Sequence, residues 1–236
     1  MYLENIVFDA VDPQRVGHFW ETVLGCERLT DEPAGFETRL AVTGGPVLDL
    51  CFQRVPEPPS GPSRLRLDLA GDGRRDEVVE TLTALGAGIL GTSAAQAGSV
   101  RFLDPEGVSG QVMSEGAAYA GTGPLAALTL ESADPDRDAA FWSWLTGWTA
   151  TGDASLRHPS GVGSVLVLSP EAEPKGAAKN RVHLDVRLES GDDPDAVAAG
   201  IAERGGRELR FTWGDLPWRH FADPSGNEFC VLPARP

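Results

Sequence analysis

Two segments of the chain alternate ionisable and apolar residues with the period of a β-strand. Residues 179–186 read Lys-Asn-Arg-Val-His-Leu-Asp-Val, and residues 63–70 read Ser-Arg-Leu-Arg-Leu-Asp-Leu-Ala. Because the side chains of a strand point alternately to its two faces, the ionisable residues of each segment share one face. These residues are Arg181, His183 and Asp185 in one segment and Arg64, Arg66 and Asp68 in the other. Such a face is expected to line water or a ligand cleft, while the apolar face packs on a helix.

The shared face offers groups for acid and base chemistry. His183 could transfer protons, and Asp185, two residues further on the same face, could orient or charge the imidazole. Arg66 stands where the second segment has histidine, and Arg66 or Arg181 could stabilise negative charge that develops on a substrate. The alternative is structural. In that case His183 is hydrogen-bonded to a neighbour, and each aspartate pairs with an arginine of its own strand.

A segment near the end of the chain could cover a ligand. Residues 211–220 read Phe-Thr-Trp-Gly-Asp-Leu-Pro-Trp-Arg-His and have the character of a loop that leads into the last hairpin. Trp213 and Trp218 would form aromatic walls for a planar or hydrophobic ligand, and His220 could face the same cleft. A lid that only caps the core would use the same residues.

The composition excludes several classes of partner. The 236 residues carry a formal net charge of −15, so contacts with nucleic acid or an anionic membrane surface would be repulsive. No window approaches the roughly 18 continuous apolar residues of a membrane span. Three scattered cysteines form no disulfide framework, and the segment from Met1 lacks the features of a signal peptide. We therefore expect a cytoplasmic protein with a small-molecule ligand, as a monomer or a homodimer.

The chain contains an internal repeat. Residues 11–25 recur as residues 133–147, and each copy has Asp-Pro near its start, Phe-Trp in its middle and Gly at its end. Asp caps the N-terminus of a helix, Pro fits the first turn, and Gly ends the helix in a conformation that other residues avoid. Each copy therefore predicts a capped helix.

A second pair of motifs defines the extent of the repeat. Residues 102–107 read Phe-Leu-Asp-Pro-Glu-Gly and residues 221–226 read Phe-Ala-Asp-Pro-Ser-Gly, which predicts a strand, a tight turn and another strand. We predict two domains, 1–116 and 124–236, joined by a small-residue linker at 117–123. Within each half, strands and helices follow the order β-α-β-β-β twice.

These motifs resemble a known group of proteins. The Asp-Pro-led helices with Phe-Trp, the Lys-Asn-Arg-Val-His-Leu-Asp strand and the Phe-Ala-Asp-Pro-Ser-Gly-Asn-Glu-Phe-Cys segment are similar to the vicinal oxygen chelate superfamily. More narrowly, they resemble its tandem glyoxalase-like domains of the glyoxalase/bleomycin resistance/dioxygenase type. The resemblance implies an α+β fold of two tandem domains. Each would be built from two β-α-β-β-β modules that form a cup-shaped mixed sheet with helices on its convex side.

The resemblance also implies where a divalent metal would bind. The family holds its ion with a His on the first strand of each module and a Glu on the last strand. The corresponding positions are Asn5, Arg66 and Gln111 in the first half, and Ala127, His183 and Cys230 in the second. His183 matches the expected ligand type, and Cys230 with Glu228 could complete an altered site. Because these donors are few, we expect no cofactor, with a divalent metal at His183, Glu228 and Cys230 as the alternative.

The superfamily spans several functions, and the sequence leaves three of them open. In the first, the protein binds an aromatic or polyoxygenated metabolite and acts as a metal-independent lyase, isomerase or cyclase through His183, Asp185 and Arg66. In the second, it sequesters a drug or metabolite without chemistry, as resistance proteins do. In the third, it is a metal-dependent glyoxalase or dioxygenase. The expected ligand-binding residues are Asn5, Asp68, Gln111, Arg181, Trp213, Trp218, His220 and Glu228.

Overall fold

The computed structural model describes residues 1–58, 63–92, 98–114, 119–210 and 216–235. Within these ranges the chain forms four helices and sixteen strands in an α+β fold. No helix of this described part is both long and apolar enough to span a membrane.

Four modules follow one another along the chain, each with a strand, a helix and then further strands. The first half contains β1 (Tyr2–Ala10), α1 (Pro13–Leu24), β2 (Glu27–Glu32), β3 (Gly35–Ala41), β4 (Val47–Arg54), β5 (Leu65–Leu69), α2 (Arg75–Ala84), β6 (Gly88–Thr92), β7 (Val100–Leu103) and β8 (Ser109–Val112). The second half contains β9 (Leu125–Ser132), α3 (Pro135–Thr146), β10 (Thr149–Gly152), β11 (Ser155–Arg157), β12 (Val165–Pro170), β13 (Val182–Arg187), α4 (Pro194–Glu203), β14 (Arg207–Leu209), β15 (Arg219–Ala222) and β16 (Glu228–Leu232).

The described strands form two eight-stranded mixed sheets, and each sheet takes one module from each half of the chain. Sheet A has the strand order β14-β15-β16-β13-β1-β4-β3-β2, and sheet B has the order β10-β11-β12-β9-β5-β8-β7-β6. At the centre of each sheet the first strands of two modules pair antiparallel, β1 with β13 and β5 with β9. Each cup is therefore formed by one module from each half of the chain, and not by the two modules of the same half.

The repeated motifs connect the two sheets. Trp20 of α1 donates a hydrogen bond from Nε1 to Asp104 over 3.1 Å, and Trp142 of α3 donates one to Asp223 over 3.2 Å. In each pair the helix and the Asp-Pro turn come from the same half but from modules in different sheets. Both tryptophans are buried, so these bonds form inside the core. The residues that reveal the repeat thus hold the sheets together.

The two predicted capped helices are confirmed. Asp12 accepts a hydrogen bond from the amide of Arg15 at the start of α1, and Asp134 caps α3 in the same way. Gly25 and Gly147 follow the helices with φ of 65° and 72°, in the left-handed region that glycine adopts without strain.

Alternation along β1 separates the core from the cup. Ile6 and Phe8 are at most 1% exposed and lie in the hydrophobic core, where the Phe8 ring stacks on Phe52 with centroids 4.6 Å apart. Asn5 and Val7 point the other way and line a cavity. The α+β class and the two tandem glyoxalase-like domains are confirmed. The pairing of the modules differs from the expectation, because each cup takes one module from each half instead of both modules of one domain. The division at 117–123 stays a prediction, because residues 116–118 lie outside the described part of the chain.

Candidate functional site

A cavity of about 600 Å³ lies on the concave face of sheet A. Its polar floor comes from four strands and from both halves of the chain: Asn5 on β1, Cys51 on β4, His183 and Asp185 on β13, and Cys230 on β16. A cavity of this volume suits a drug-sized organic molecule.

Strand register brings these residues together. The antiparallel pairing of β1 with β13 sets Asn5 opposite Asp185 and Val7 opposite His183. The parallel pairing of β13 with β16 sets Cys230 beside Asp185. Successive side chains of each strand point to opposite faces of the sheet, so the polar side chains meet on one face while the intervening apolar residues enter the core.

His183, Asp185 and Cys230 form a compact buried group that we call the donor cluster. His183 Nε2 lies 3.3 Å from Asp185 Oδ1 and 3.6 Å from Cys230 Sγ. Asn5 donates a hydrogen bond from Nδ2 to Asp185 Oδ2 over 3.3 Å and so orients the carboxylate. Among the described residues, His183 Nδ1 and Asp185 Oδ1 are buried without a hydrogen-bond partner. Native proteins rarely leave buried polar atoms unpaired, so Asp185 Oδ1, which faces His183 Nε2, is suited to an additional group. Nδ1 is the other ring nitrogen of His183 and would not be satisfied by a group bound at Nε2.

The donor cluster fits a divalent metal. One donor atom from each of its three residues lies within 4.8 Å of the other two. Zinc bonds of about 2.0 Å to N or O and about 2.3 Å to S place tetrahedral N and O ligands about 3.3 Å apart and N and S ligands about 3.5 Å apart. The two separations in the structure agree with these values. Three protein ligands also leave one coordination position for a substrate.

The structure changes the donor set that the sequence suggested. Glu228 lines the cavity, but its carboxylate pairs with Lys175 over 3.1 Å and accepts the amide hydrogen of Asn180. Asp185, instead of Glu228, is the third donor beside His183 and Cys230. The sequence signal was available, because Asp185 shares the strand face of His183.

The thiols of the cavity are protonated when no metal is present. Burial raises the pKa of Cys230, and the neighbouring Asp185 carboxylate raises it further. Burial likewise raises the pKa of Cys51. Neither thiol is therefore activated as a nucleophile, and Cys230 would become a thiolate only by giving its proton up to metal binding.

One wall of the cavity is apolar. Leu216, Pro217 and Trp218 line it just before β15. Trp218 donates a hydrogen bond from Nε1 to His220 Nε2 over 3.2 Å, which holds the indole beside the cup. Burial lowers the pKa of His220, and His183 lowers it further, so its neutral ring can accept this bond. Trp213, the other predicted wall residue, lies within 211–215, outside the described residues.

Several predicted site residues lie in the other cup. Arg66 on β5 forms a bidentate ion pair with Asp68 over 2.6 and 3.1 Å, and Thr129 donates to the same carboxylate over 2.7 Å. Gln111 on β8 donates to Ser99 over 2.7 Å. Because β5 and β8 belong to sheet B, these residues do not share a cup with His183.

Arg181 also differs from its predicted position. It precedes β13, is 8% exposed, and donates a hydrogen bond to the backbone carbonyl of Glu106 over 2.7 Å. It therefore links the two halves, and it does not pair with Asp185.

Cys51 and Glu37 were missed by sequence reasoning, although both line the cavity of sheet A. Alternation within β4 places Cys51 and Gln53 on one face, and Glu37 on β3 lies opposite Cys51. That local signal could not show that β3 and β4 share a sheet with β13, because the pairing spans more than half of the chain.

Two β-α-β-β-β modules that form a cup around a polar centre define a protein of the vicinal oxygen chelate class. The family model for the glyoxalase-like domain matches residues 5–113 and 127–232, and the chain belongs to this family. The resemblance of the sequence to tandem glyoxalase-like domains is therefore confirmed. Among curated proteins, no sequence matches this chain.

Solved structures share the fold over the full length of the chain. A glyoxalase I mutant from Zea mays has a TM-score of 0.70 and 18% identity, covering 98% of this chain and 93% of its own. The unmutated Zea mays glyoxalase I has a TM-score of 0.66 and 17% identity, covering 98% and 92%. A proposed dioxygenase from Bacillus subtilis has a TM-score of 0.60 and 18% identity, covering 100% and 86%. At these identities the likeness establishes the fold alone.

Proposed function

We propose that the cup of sheet A binds a small organic molecule next to a divalent metal held by His183, Asp185 and Cys230, and that the protein is an enzyme. The observation that carries this proposal is the spacing of the three buried donors: the separations of His183 Nε2 from Asp185 Oδ1 and from Cys230 Sγ suit tetrahedral metal ligands, and all three donor atoms lie within 4.8 Å of one another. Zea mays glyoxalase I and the proposed Bacillus subtilis dioxygenase share the fold, which is compatible with an enzyme on this scaffold.

The chain's own residues define what the site can do. A bound divalent ion would polarise an oxygen of the ligand as a Lewis acid. Asn5 orients Asp185, and Val7 keeps the floor beside His183 apolar. Trp218 lines the cavity and offers an aromatic face to the ligand. These groups suit lyase, isomerase or glyoxalase chemistry on a molecule that carries oxygen.

Metal analysis tests the proposal directly. Protein purified without added metal or chelator is expected to contain about one divalent ion per chain. Cys230→Ser and Asp185→Asn should each weaken retention against a competing chelator at least tenfold, because even the loss of a group that only hydrogen-bonds a metal ligand typically costs about 10- to 100-fold in affinity. Cys51→Ser is the matched control, since its thiol lines the same cavity outside the donor cluster.

Cobalt substitution gives a readout that is independent of activity. The cobalt form is expected to show a thiolate-to-metal charge-transfer band that disappears in Cys230→Ser and persists in Cys51→Ser. If the protein takes up neither zinc nor cobalt when either is supplied in excess, the metal part of the proposal is wrong.

A second candidate is metal-free proton transfer. It is favoured by the ion-pair distance of 3.3 Å between His183 Nε2 and Asp185 Oδ1 and by the hydrogen bond that fixes Asp185 through Asn5. His183 Nε2 would take a proton from the ligand, and Asp185 would stabilise the resulting imidazolium. Arg66, which was grouped with these residues on sequence, has no part in this mechanism because it lies in sheet B.

Solvent exchange separates the two candidates. Chelator-treated protein would be incubated in D₂O with a panel of hydroxyketones and aromatic metabolites, and deuterium incorporation would be followed by NMR. Exchange that His183→Gln abolishes and the surface control His158→Gln retains would support metal-free transfer. Exchange that requires added metal would support the first proposal. Ligand binding without exchange or turnover in either form would indicate sequestration.

A further inference from the structure

The cavity of sheet A has two chemically different ends. At one end, contributed by the segment before β15 and by β16, the lining includes Leu216, Pro217, Trp218 and Leu232. At the other end, β3 and β4 contribute Glu37 and Gln53. The strand order places β15 and β3 on opposite sides of the central pair β1 and β13. A ligand that fills the cup would therefore contact an apolar end and a polar end at once.

The cations that line the cavity are neutralised by carboxylates. Lys179 pairs with both carboxylate oxygens of Asp9 at 2.8 and 2.6 Å. Arg187 pairs with Glu4, which it shares with the exposed Arg235. An anionic group that pairs with Lys179 or Arg187 would have to displace these carboxylates, which costs the interaction that holds the cation.

Unlike these paired cations, the carboxylate of Glu37 is a charged group of the cavity lining with no partner among the described residues. Its side chain is exposed and lines the cavity, and no hydrogen bond or ion pair joins it to another residue of the described chain. The carboxylate of Glu228, by comparison, is held by Lys175. The formal net charge of −15 adds a field that favours cations over anions at the mouth of the cup.

We propose that the ligand of this cup carries a protonated amine that pairs with Glu37 and an aromatic or apolar group that packs on Trp218. The inference rests on the proposed function only in requiring that the cup binds a small molecule. It names a ligand class, amphipathic amines, and it assigns Glu37 as the residue that selects for positive charge.

Three dansyl probes with the same ring system and a five-carbon chain test the charge preference. Dansylcadaverine ends in a protonated amine, N-pentyl dansylamide ends in a methyl group, and 6-(dansylamino)hexanoate ends in a carboxylate. Dansyl fluorescence titrations with the purified protein are expected to give the tightest binding for the amine. The amine should bind about tenfold more tightly than the carboxylate, as expected for one favourable and one unfavourable partly exposed charge contact.

Variants locate the effect. Glu37→Gln is expected to weaken dansylcadaverine binding about two- to fivefold and to leave binding of the uncharged probe unchanged, since a single exposed ion pair is removed. Glu37→Lys should favour the carboxylate probe over the amine. Glu80→Gln, an exposed position on α2, removes the same negative charge away from the cup and should change none of the affinities. Trp218→Ala should weaken all three probes.

The outcomes distinguish this inference from the proposed function. Equal or tighter binding of the carboxylate probe, or no response to Glu37→Gln, overturns the amine assignment and leaves small-molecule binding intact. Failure of all three probes to bind overturns the amine assignment and also counts against a binding role for the cup, while the metal measurements test the donor cluster separately.

Discussion

The two cups carry related residues at equivalent positions, yet the central aspartate is fully paired within the chain in sheet B and only partly paired in sheet A. Register makes Asp68 of sheet B equivalent to Asp185 of sheet A. The remaining equivalent pairs, with sheet B first, are Arg66 and His183, Thr129 and Val7, Ala127 and Asn5, and Gln111 and Cys230.

The difference lies in what each aspartate contacts. Asp68 receives the guanidinium fork of Arg66 and the hydroxyl of Thr129, so both of its oxygens are satisfied within the chain. Asp185 receives one hydrogen bond from Asn5, and its Oδ1 has no hydrogen-bond partner in the described ranges. Two exchanges, arginine for histidine and threonine for valine, thus turn a potential ligand site into an internal ion pair.

The largest expected effect concerns the cup of sheet B. Asp68→Asn removes the buried partner of Arg66 and is expected to lower the free energy of unfolding by about 3 kcal/mol, near the lower bound for breaking a buried ion pair. Asp185→Asn in metal-free protein should change it by less than about 1 kcal/mol, because its carboxylate is only partly paired. Urea denaturation of chelator-treated protein measures both. Equal costs for the two variants would contradict the distinction between the cups.

The second prediction transfers the aspartate pairing of sheet B to sheet A. The double variant Val7→Thr/His183→Arg gives sheet A the residues that sheet B uses to satisfy its aspartate. Metal retention and dansylcadaverine binding are expected to fall at least tenfold, about 1.4 kcal/mol, while the protein stays folded. His158→Arg, which adds the same cation on the surface, is the control for net charge. A double variant that still retains metal would show that the exchanges do not explain the difference.

A smaller effect is expected from His220, which positions Trp218. His220→Ala removes the acceptor of the indole hydrogen bond and should weaken the uncharged dansyl probe about threefold, the value of a single neutral hydrogen bond. His220→Gln keeps an acceptor oxygen and should restore most of the affinity. If His220→Ala and His220→Gln weaken binding of the uncharged probe equally, the hydrogen bond does not position Trp218.

The smallest effect is a pH dependence of stability. The pKa of His220 in the folded protein is lowered by burial and by His183, so the unfolded chain binds a proton that the folded chain does not. The contribution of His220 to stability is therefore constant above the unfolded pKa of about 6.5 and is lost as the pH falls through the folded pKa. NMR titration of the imidazole C2 proton, assigned with His220→Gln, measures the shift. A midpoint at or above that of a free histidine would contradict it.

Local sequence patterns were sufficient for the secondary structure that surrounds the site. Asp12 and Gly25 specify where α1 begins and ends, because capping depends on residues within a few positions of each helix end. Alternation was sufficient to place His183 and Asp185 on one strand face and to separate them from the core. The tandem repeat and the family were also accessible from the sequence, through motifs that the structure shows to be contacts between the sheets.

Only the tertiary structure decided which modules share a cup. The alternation of β5 and β13 is equally satisfied whether each pairs with the strand of its own half or with that of the other, so the pattern carries no information about the partner. The observed strand pairing places Asn5 and Cys51 in the same cup as His183. It places Arg66, Asp68 and Gln111 in the other cup. The donor cluster exists because register across distant strands, which no local pattern specifies, aligns Asp185 with Cys230 and Asn5.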